Sequence, residues 1–310
     1  MDLSVNFCGV KFRNPLVLAS GVLGITASTW NTVARRGAGG ITTKSIWLEG
    51  HKGHPNPVII ANKHFMLNAV GLPDAGVEKA REEVAKYFEL QNKNPRTEKA
   101  PLIVNIVAYS DDHFVKLARE AVKLKPDILE VNLSCPNVDD EFGKPFACSE
   151  SAAARVTKLV KKNAGKIPVV IKLSPNVANI SLIAKACAEE GADGFTCVNT
   201  MSGMVIDVET RVPVLANKVG GVSGHAIKPV AVKAVYDVYR TTKLPIIGVG
   251  GVTTGEDAIE MMLAGARLVG IGTAMYYRGR EAFTKITAEM QEWGKKYKVK
   301  KVASIIGTVK

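Results

Sequence analysis

Eight short, apolar, β-branched segments recur along the chain, with helical stretches between them. Strands that are apolar on both faces are typical of a parallel sheet covered by helices. A count of eight in 310 residues favours closure into a (β/α)8 barrel. A doubly wound sheet is the alternative, but no G-x-G-x-x-G follows the first strand. The predicted strands are Leu16–Ala19, Gly40–Lys44, Leu102–Val107, Ile128–Asn132, Val169–Leu173, Gly194–Asn199, Pro245–Val249 and Leu268–Gly272.

The segments around these strands complete the predicted architecture. Leu3–Phe12 alternates around Gly9 and predicts a short hairpin before the barrel. Two connections, Ser45–Asp74 and Thr200–His225, are long enough to predict functional loops over the C-terminal face, and Pro136–Ser149 is a candidate lid. No linker divides residues 1–310, so we expect a single domain. Helical periodicity predicts helices over Thr26–Arg36, Asp111–Leu124, Ser149–Asn163, Ala178–Glu190, Pro229–Thr241, Gly255–Ala264 and Arg280–Lys296.

Composition narrows the class of protein. A net charge of +12 permits anionic ligands, but the basic clusters lack interleaved aromatic residues, so no nucleic acid is expected. No apolar run is long enough to span a bilayer and no signal peptide opens the chain, which predicts a cytoplasmic protein without a membrane partner. The five cysteines are scattered and form no C-x-x-C pair, so reduced thiols and no metal centre are expected.

Polar residues and glycines collect where the predicted strands end. The segment that begins at Ile128 ends with Asn132, Cys135 and Asn137, whose side chains are poorly suited to packing in a core. The alternative is a satisfied core cysteine beside a turn asparagine. Barrel enzymes carry their catalytic groups at this end of the strands. Two glycine segments, Gly248–Gly251 and Gly270–Thr273, follow the last two strands and predict a phosphate site, with glycines required only by tight turns as the alternative.

Two lysines lie in strands that should be buried, and a buried ammonium needs an anionic partner. Lys44 and Lys172 could face a delocalised anion such as a reduced flavin or a carboxylate, or one of them could form the Schiff base of an aldolase-type barrel. Three asparagines, Asn68, Asn132 and Asn199, favour the first interpretation. Each amide offers two donors and an acceptor, which suits a ring with alternating C=O and N–H groups.

Taken together, these motifs resemble the catalytic subunit of class 1 dihydroorotate dehydrogenases over nearly the whole chain. The segments that carry the resemblance are Ala19–Gly21, Lys44–Ser45, Asn68–Leu72, Asn132–Asn137, Lys172–Asn176, Asn199–Thr200, Ser223–Gly224, Gly250–Gly251 and Gly272–Thr273.

The resemblance implies a set of site residues. Cys135 is expected to remove the C5 proton of dihydroorotate while C6 delivers hydride to N5 of FMN. Substrate contacts are expected from Lys44, Asn68, Ala69, Val70, Gly71, Leu72, Asn132, Asn199 and Thr200. FMN contacts are expected from Ser20, Lys44, Ser45, Asn105, Asn132, Lys172, Val198, Gly224, Gly250, Gly251, Gly272 and Thr273.

The motifs around Asn199 and Ser174 are more similar to the B type, in which a partner subunit carrying FAD and a [2Fe-2S] cluster reduces NAD. A homodimer within a heterotetramer is then expected. The A type, which reduces fumarate, is an alternative, as are a dihydropyrimidine dehydrogenase-like flavoprotein and an RNA-binding dihydrouridine-synthase-like barrel. One departure from the family pattern is Ile106–Tyr109, where a glycine is expected.

Overall fold

Eight parallel strands close into a barrel in chain order in the computed structural model, which describes residues 1–93, 99–133 and 149–309. The last barrel strand pairs with the first through Val269–Leu16 and Ile271–Leu18, so the sheet has no free edge. All strands are numbered here in chain order. The barrel strands are β3 (Leu16–Leu18), β4 (Gly40–Thr42), β7 (Leu102–Ile106), β8 (Ile128–Asn132), β9 (Val169–Leu173), β10 (Gly194–Cys197), β15 (Ile246–Val249) and β16 (Ala266–Ile271).

Helices cover the outside of the barrel and bury their apolar faces against it. Several begin at side-chain caps: Ser110, Ser149, Asn179 and Thr254 each accept a hydrogen bond from a backbone N–H of the first turn. The helices are α1 (Ala27–Arg35), α2 (Val77–Asn92), α3 (Asp111–Lys123), α4 (Glu150–Asn163), α5 (Ile180–Glu189), α6 (Lys228–Thr242), α7 (Gly255–Ala264), α8 (Ala274–Tyr277) and α9 (Ala282–Lys296), with 3-10 turns at His225–Ile227, Gly279–Glu281 and Val302–Ile305.

An N-terminal hairpin, β1 (Val5–Phe7) and β2 (Val10–Phe12), closes the end of the barrel opposite the site. Its Phe7 and Phe12 are fully buried and meet edge to face at 6.4 Å. A Cβ on Gly40, the first residue of β4, would lie 2.6 Å from the Phe12 ring. The hairpin predicted from Leu3–Phe12 is therefore present, and it leaves the C-terminal mouth as the open end.

Besides the hairpin, two further antiparallel sheets lie outside the barrel wall within the described residues. Strands β5 (Ile59–Ala61), β6 (Met66–Asn68), β11 (Met201–Met204) and β14 (Val219–Ser223) form one sheet in the order β11-β14-β6-β5, and β12 (Ile206–Asp207) pairs with β13 (Val212–Pro213). A second, small core of Leu67, Ala69 and Leu215 packs within this region. The strands come from the two long connections, so they bring distant parts of the chain together.

The structure confirms the barrel but changes parts of the prediction. The connections at Ser45–Asp74 and Thr200–His225 contain ordered strands, and α2 was not predicted. The α2 helix was missed because its apolar residues are few among many charges, and only Val77, Val84, Tyr87 and Gln91 are buried. The candidate lid Pro136–Ser149 lies outside the described residues apart from Ser149. Within the described residues, every helix is too short or too polar to cross a membrane.

Candidate functional site

A cavity of about 590 Å³ opens at the C-terminal ends of the barrel strands. Its wall combines barrel residues with residues of the four-stranded sheet, as expected when that sheet covers the mouth. The cavity brings together every described residue of the predicted site except Asn105, and these are Ser20, Lys44, Ser45, Asn68, Ala69, Val70, Gly71, Leu72, Asn132, Lys172, Val198, Asn199, Thr200, Gly224, Gly250, Gly251, Gly272 and Thr273.

Lys172 and Lys44 place two ammonium groups at the cavity. Lys172 is only 6% exposed, and its side chain makes no hydrogen bond or ion pair within the described residues. Burial lowers the pKa of Lys44 below its ordinary value, although the charge of Asp74 acts in the opposite direction. Buried cations without a protein partner are costly, so the cavity favours an anionic or electron-rich ligand.

Two of the asparagine amides are oriented by neighbouring groups. Asn68 Nδ2 donates to the carbonyl of Gly221 at 3.3 Å, and Asn132 Nδ2 donates to Ser45 Oγ at 3.2 Å. The sheet also brings Thr200 close to Gly221. A Cβ at position 221 would lie 1.9 Å from Thr200 Oγ1. At position 221 only glycine leaves room for the Asn68 amide and the Thr200 hydroxyl to lie side by side on the cavity wall.

Along the backbone of Ala69–Leu72, most carbonyls accept hydrogen bonds from described residues, whereas the last three N–H groups donate none to them. The carbonyls of Ala69, Val70 and Leu72 accept hydrogen bonds from the segment between Trp47 and His54. The N–H groups of Val70, Gly71 and Leu72 donate to nothing in the part of the chain that is described. Gly71 and Leu72 both have positive φ, 75° and 48°. Successive unbonded N–H groups in such a turn form a concave anion site.

A second group of unbonded N–H donors follows the last two barrel strands. Gly250, Gly251, Gly272 and Thr273 donate no backbone hydrogen bond to any described residue. Gly251 has a φ of 74°, and a Cβ there would lie 2.8 Å from the carbonyl oxygen of Gly224. These residues therefore offer backbone N–H donors at the cavity, as a phosphate site requires, and at Gly251 the fold leaves no room for a side chain.

Asn105 is the one described member of the predicted set that does not line the cavity, and its contact with FMN stays a prediction. It is fully buried inside the barrel, where its Nδ2 donates to Glu130 and its backbone N–H donates to Thr43 Oγ1. The other oxygen of Glu130 accepts from Thr196 Oγ1. Asn105 therefore belongs to a polar layer in the barrel interior and not to the cavity wall. The sequence could not distinguish the two positions, because both lie on the inward face near the end of a strand.

Cys135, the predicted base, lies outside the described residues. Three other cysteines can be assessed. Burial raises the pKa of the Cys8 and Cys187 thiols to about 12 and about 11, and it raises that of Cys197 further. Such thiols are poor bases at neutral pH. Among the described residues, no cluster of three or more His, Cys, Asp or Glu side chains could hold a metal ion.

Asn176 and His54 are among the polar residues of the cavity wall to which the sequence analysis assigned no role. Asn176 Nδ2 donates to Ser174 Oγ and to the carbonyl of Thr200, and its Oδ1 accepts from the N–H of Ser202. His54 contributes the only imidazole among the described residues of the cavity wall. Asn176 belongs to a motif that the resemblance already contained, whereas His54 lies in a long connection and no pattern distinguishes it.

Known proteins support one family. A crystal structure of dihydroorotate dehydrogenase from Eimeria tenella, in complex with ferulenol, superposes with a TM-score of 0.87 over 99% of this chain and 88% of that one. At 23% identity it supports the fold alone.

Sequence relatives are closer. A dihydroorotate dehydrogenase B (NAD(+)) catalytic subunit from Methanocaldococcus jannaschii is 43% identical over 93% of this chain and 92% of its own length. Those of Citrifermentans bemidjiense and Pyrococcus abyssi are 41% and 40% identical, each over at least 98% of both chains. The family model described as dihydroorotate dehydrogenase matches residues 2–293. The chain therefore belongs to the dihydroorotate dehydrogenase family.

Proposed function

We propose that this chain is an FMN-dependent catalytic subunit that oxidises (S)-dihydroorotate to orotate in de novo pyrimidine biosynthesis in the cytoplasm. The observation that carries the proposal is the meeting, in one cavity, of a buried lysine, Lys172, with two separate groups of N–H donors, all without a partner in the part of the chain that the structure describes. One group suits a phosphate and the other suits a carboxylate. Relatives named for this activity, at about 40% identity over nearly the full length, support the same assignment.

The residues at one side of the cavity fit FMN. The N–H groups of Gly250, Gly251, Gly272 and Thr273 are available to its phosphate, and Gly224 lines the same cavity. Lys172 has no described partner, so its ammonium is available to the flavin ring, where it would favour the negative charge that accompanies reduction. When bound, FMN supplies the hydride acceptor. The further contacts proposed are Ser20, Ser45, Asn132 and Val198.

The other side of the cavity fits dihydroorotate. The unbonded N–H groups of Val70–Leu72 and the ammonium of Lys44 would hold its carboxylate. The amides of Asn68, Asn132 and Asn199, with Thr200, would hold the C=O and N–H groups of the ring. Contacts at both ends of a flat ring fix its rotation and so orient the carbon atoms that react.

Cys135 is proposed as the base that takes the C5 proton, on the strength of the family motif alone. Substitution of Cys135, and not the geometry of the cavity, tests this assignment. The electron acceptor is proposed to be NAD, reached through a partner subunit with FAD and a [2Fe-2S] cluster, in a heterotetramer built on a homodimer. Support comes from the B-type names of the relatives. The A-type alternative would reduce fumarate without a partner.

One spectroscopic experiment tests the proposal. Purified protein should be yellow, should release FMN on denaturation, and should lose its visible flavin bands when dihydroorotate is added without oxygen. Dihydrouracil should cause no comparable bleaching, and failure to distinguish the two would favour the dihydropyrimidine dehydrogenase alternative. Borohydride should trap no adduct on Lys172, in contrast to an aldolase-type barrel. Absence of bleaching by dihydroorotate would refute the proposed reaction.

The acceptor is tested separately. Co-expression with a candidate flavoprotein subunit should confer NAD reduction by dihydroorotate, and the isolated chain should reduce NAD poorly. Fumarate reduction by the isolated chain would instead support the A type.

A further inference from the structure

The segment Trp47–His54 packs against the loop Ala69–Leu72 and supplies donors to its carbonyls. His54 Nδ1 lies 3.0 Å from the carbonyl oxygen of Ala69, and the backbone N–H of His54 donates to Val70 at 3.1 Å. His51 Nδ1 lies 3.2 Å from the carbonyl oxygen of Leu72, which also accepts from Trp47 Nε1 at 3.0 Å. Since a carbonyl only accepts, each imidazole must carry a proton on Nδ1.

The two segments are held close together. A Cβ on Gly53 would lie 2.5 Å from the carbonyl oxygen of Val70, and one on Gly71 would lie 2.7 Å from the backbone nitrogen of His54. The His51 ring stacks on Trp47 at 4.6 Å with 22° between the planes, so its Nδ1 is directed by packing. With these carbonyls engaged by the neighbouring segment, the N–H groups of Val70, Gly71 and Leu72 remain available to the cavity.

We propose that His54 and His51 are positioning residues that keep this loop in the conformation that binds the substrate carboxylate. The inference rests on the proposed function, because it assumes that the anion held there belongs to dihydroorotate or orotate. It assigns the two histidines unequal importance. His54 Nδ1 is the one donor to the Ala69 carbonyl within the described residues, whereas the Leu72 carbonyl keeps Trp47 Nε1 when His51 is lost.

The test compares substitutions that keep an aromatic ring and remove the donor. In the FMN-loaded protein, His54→Phe should raise the dissociation constant of orotate about tenfold, as expected for a hydrogen bond whose loss leaves a carbonyl unsatisfied. His51→Phe should raise it by about threefold or less, because Leu72 retains a partner. His54→Asn, which restores a side-chain N–H donor, should recover most of the affinity. Calorimetric titration with orotate measures all three.

Two further readouts separate positioning from general damage. KM for dihydroorotate should rise in His54→Phe with kcat and FMN content kept, since the loop would bind ground state and transition state alike. His64→Phe is the matched control, because His64 is exposed and its ring has no hydrogen bond in the described chain. If His54→Phe does not fold, His54→Leu also lacks the donor and replaces it.

Unchanged orotate affinity in His54→Phe would overturn the inference, and so would a larger loss in His51→Phe than in His54→Phe. A loss that His54→Asn does not recover would show that the ring, not the donor, matters, and would also overturn it. If wild-type protein binds FMN but not orotate, the proposed function itself fails.

Discussion

Asp257 offers the sharpest test of how the proposed phosphate loop is held, and Asp257→Asn is the perturbation. Its Oδ2 accepts from the backbone N–H groups of Thr253 and Thr254 at 2.9 and 2.8 Å, and its Oδ1 accepts from Lys228 Nζ at 2.7 Å. The Asp257 N–H donates in turn to Thr254 Oγ1 at 3.1 Å, which completes a capping box at the start of α7. The carboxylate therefore joins the loop after β15 to α6 and α7.

The size of the effect follows from the pKa of Asp257. Burial alone would raise this pKa, but the Lys228 ammonium and the Thr253 and Thr254 N–H groups lower it from 3.8 to about 2. A difference of ~1.8 pH units corresponds to about 2.5 kcal/mol, and the side chain is only 10% exposed, so little screening applies. A depressed carboxylate pKa stabilises the folded state above pH 3.8. This contribution is lost as pH falls through about 2.

The assay is denaturant unfolding of wild type and Asp257→Asn across pH. At pH 7 the variant should lose about 2.5 kcal/mol, or roughly 4 °C in Tm for a chain of this length, and at pH 3 the difference should fall to about half. Asp237→Asn is the control, because its ion pair with the exposed Lys233 is worth about 0.5 kcal/mol or less. A loss in Asp257→Asn no larger than in the control, or one independent of pH, would refute the reasoning.

Three further predictions concern the site. Gly221→Ala places a Cβ against Thr200 Oγ1, so KM for dihydroorotate should rise about tenfold in steady-state assays with FMN content kept; an unchanged KM would contradict the geometry. Burial lowers the pKa of Lys44, so orotate affinity measured by calorimetry should fall as pH rises through that lowered pKa. Lys44→Met should bind orotate more weakly and without this dependence, and an alkaline loss that persists in the variant would exclude Lys44. Cys135→Ser should slow anaerobic FMN reduction by at least about 100-fold at neutral pH with FMN still bound, and a near wild-type rate would remove the base assignment.

Much of the architecture could be predicted from local patterns. A strand buried on both faces reads as a continuous apolar run, and eight such runs with helices between them have one common closed arrangement. The position of Lys172 near the end of such a run already indicated a ligand, because a lysine there would be unpaired. This approach missed the α2 helix, since the many charged residues of that helix left too few apolar positions to show the helical period.

The chain's amino-acid order was enough to predict which side chains lie near the mouth of the barrel, because the carboxyl ends of parallel strands must all face one way. It did not determine which inward-facing groups reach the cavity and which stay below it, as Asn105 and Asn132 illustrate. Nor could it reveal that His54 lies against the loop of Ala69. Those relations depend on tertiary contacts, and the pairing of small strands within and between the two long connections sets them.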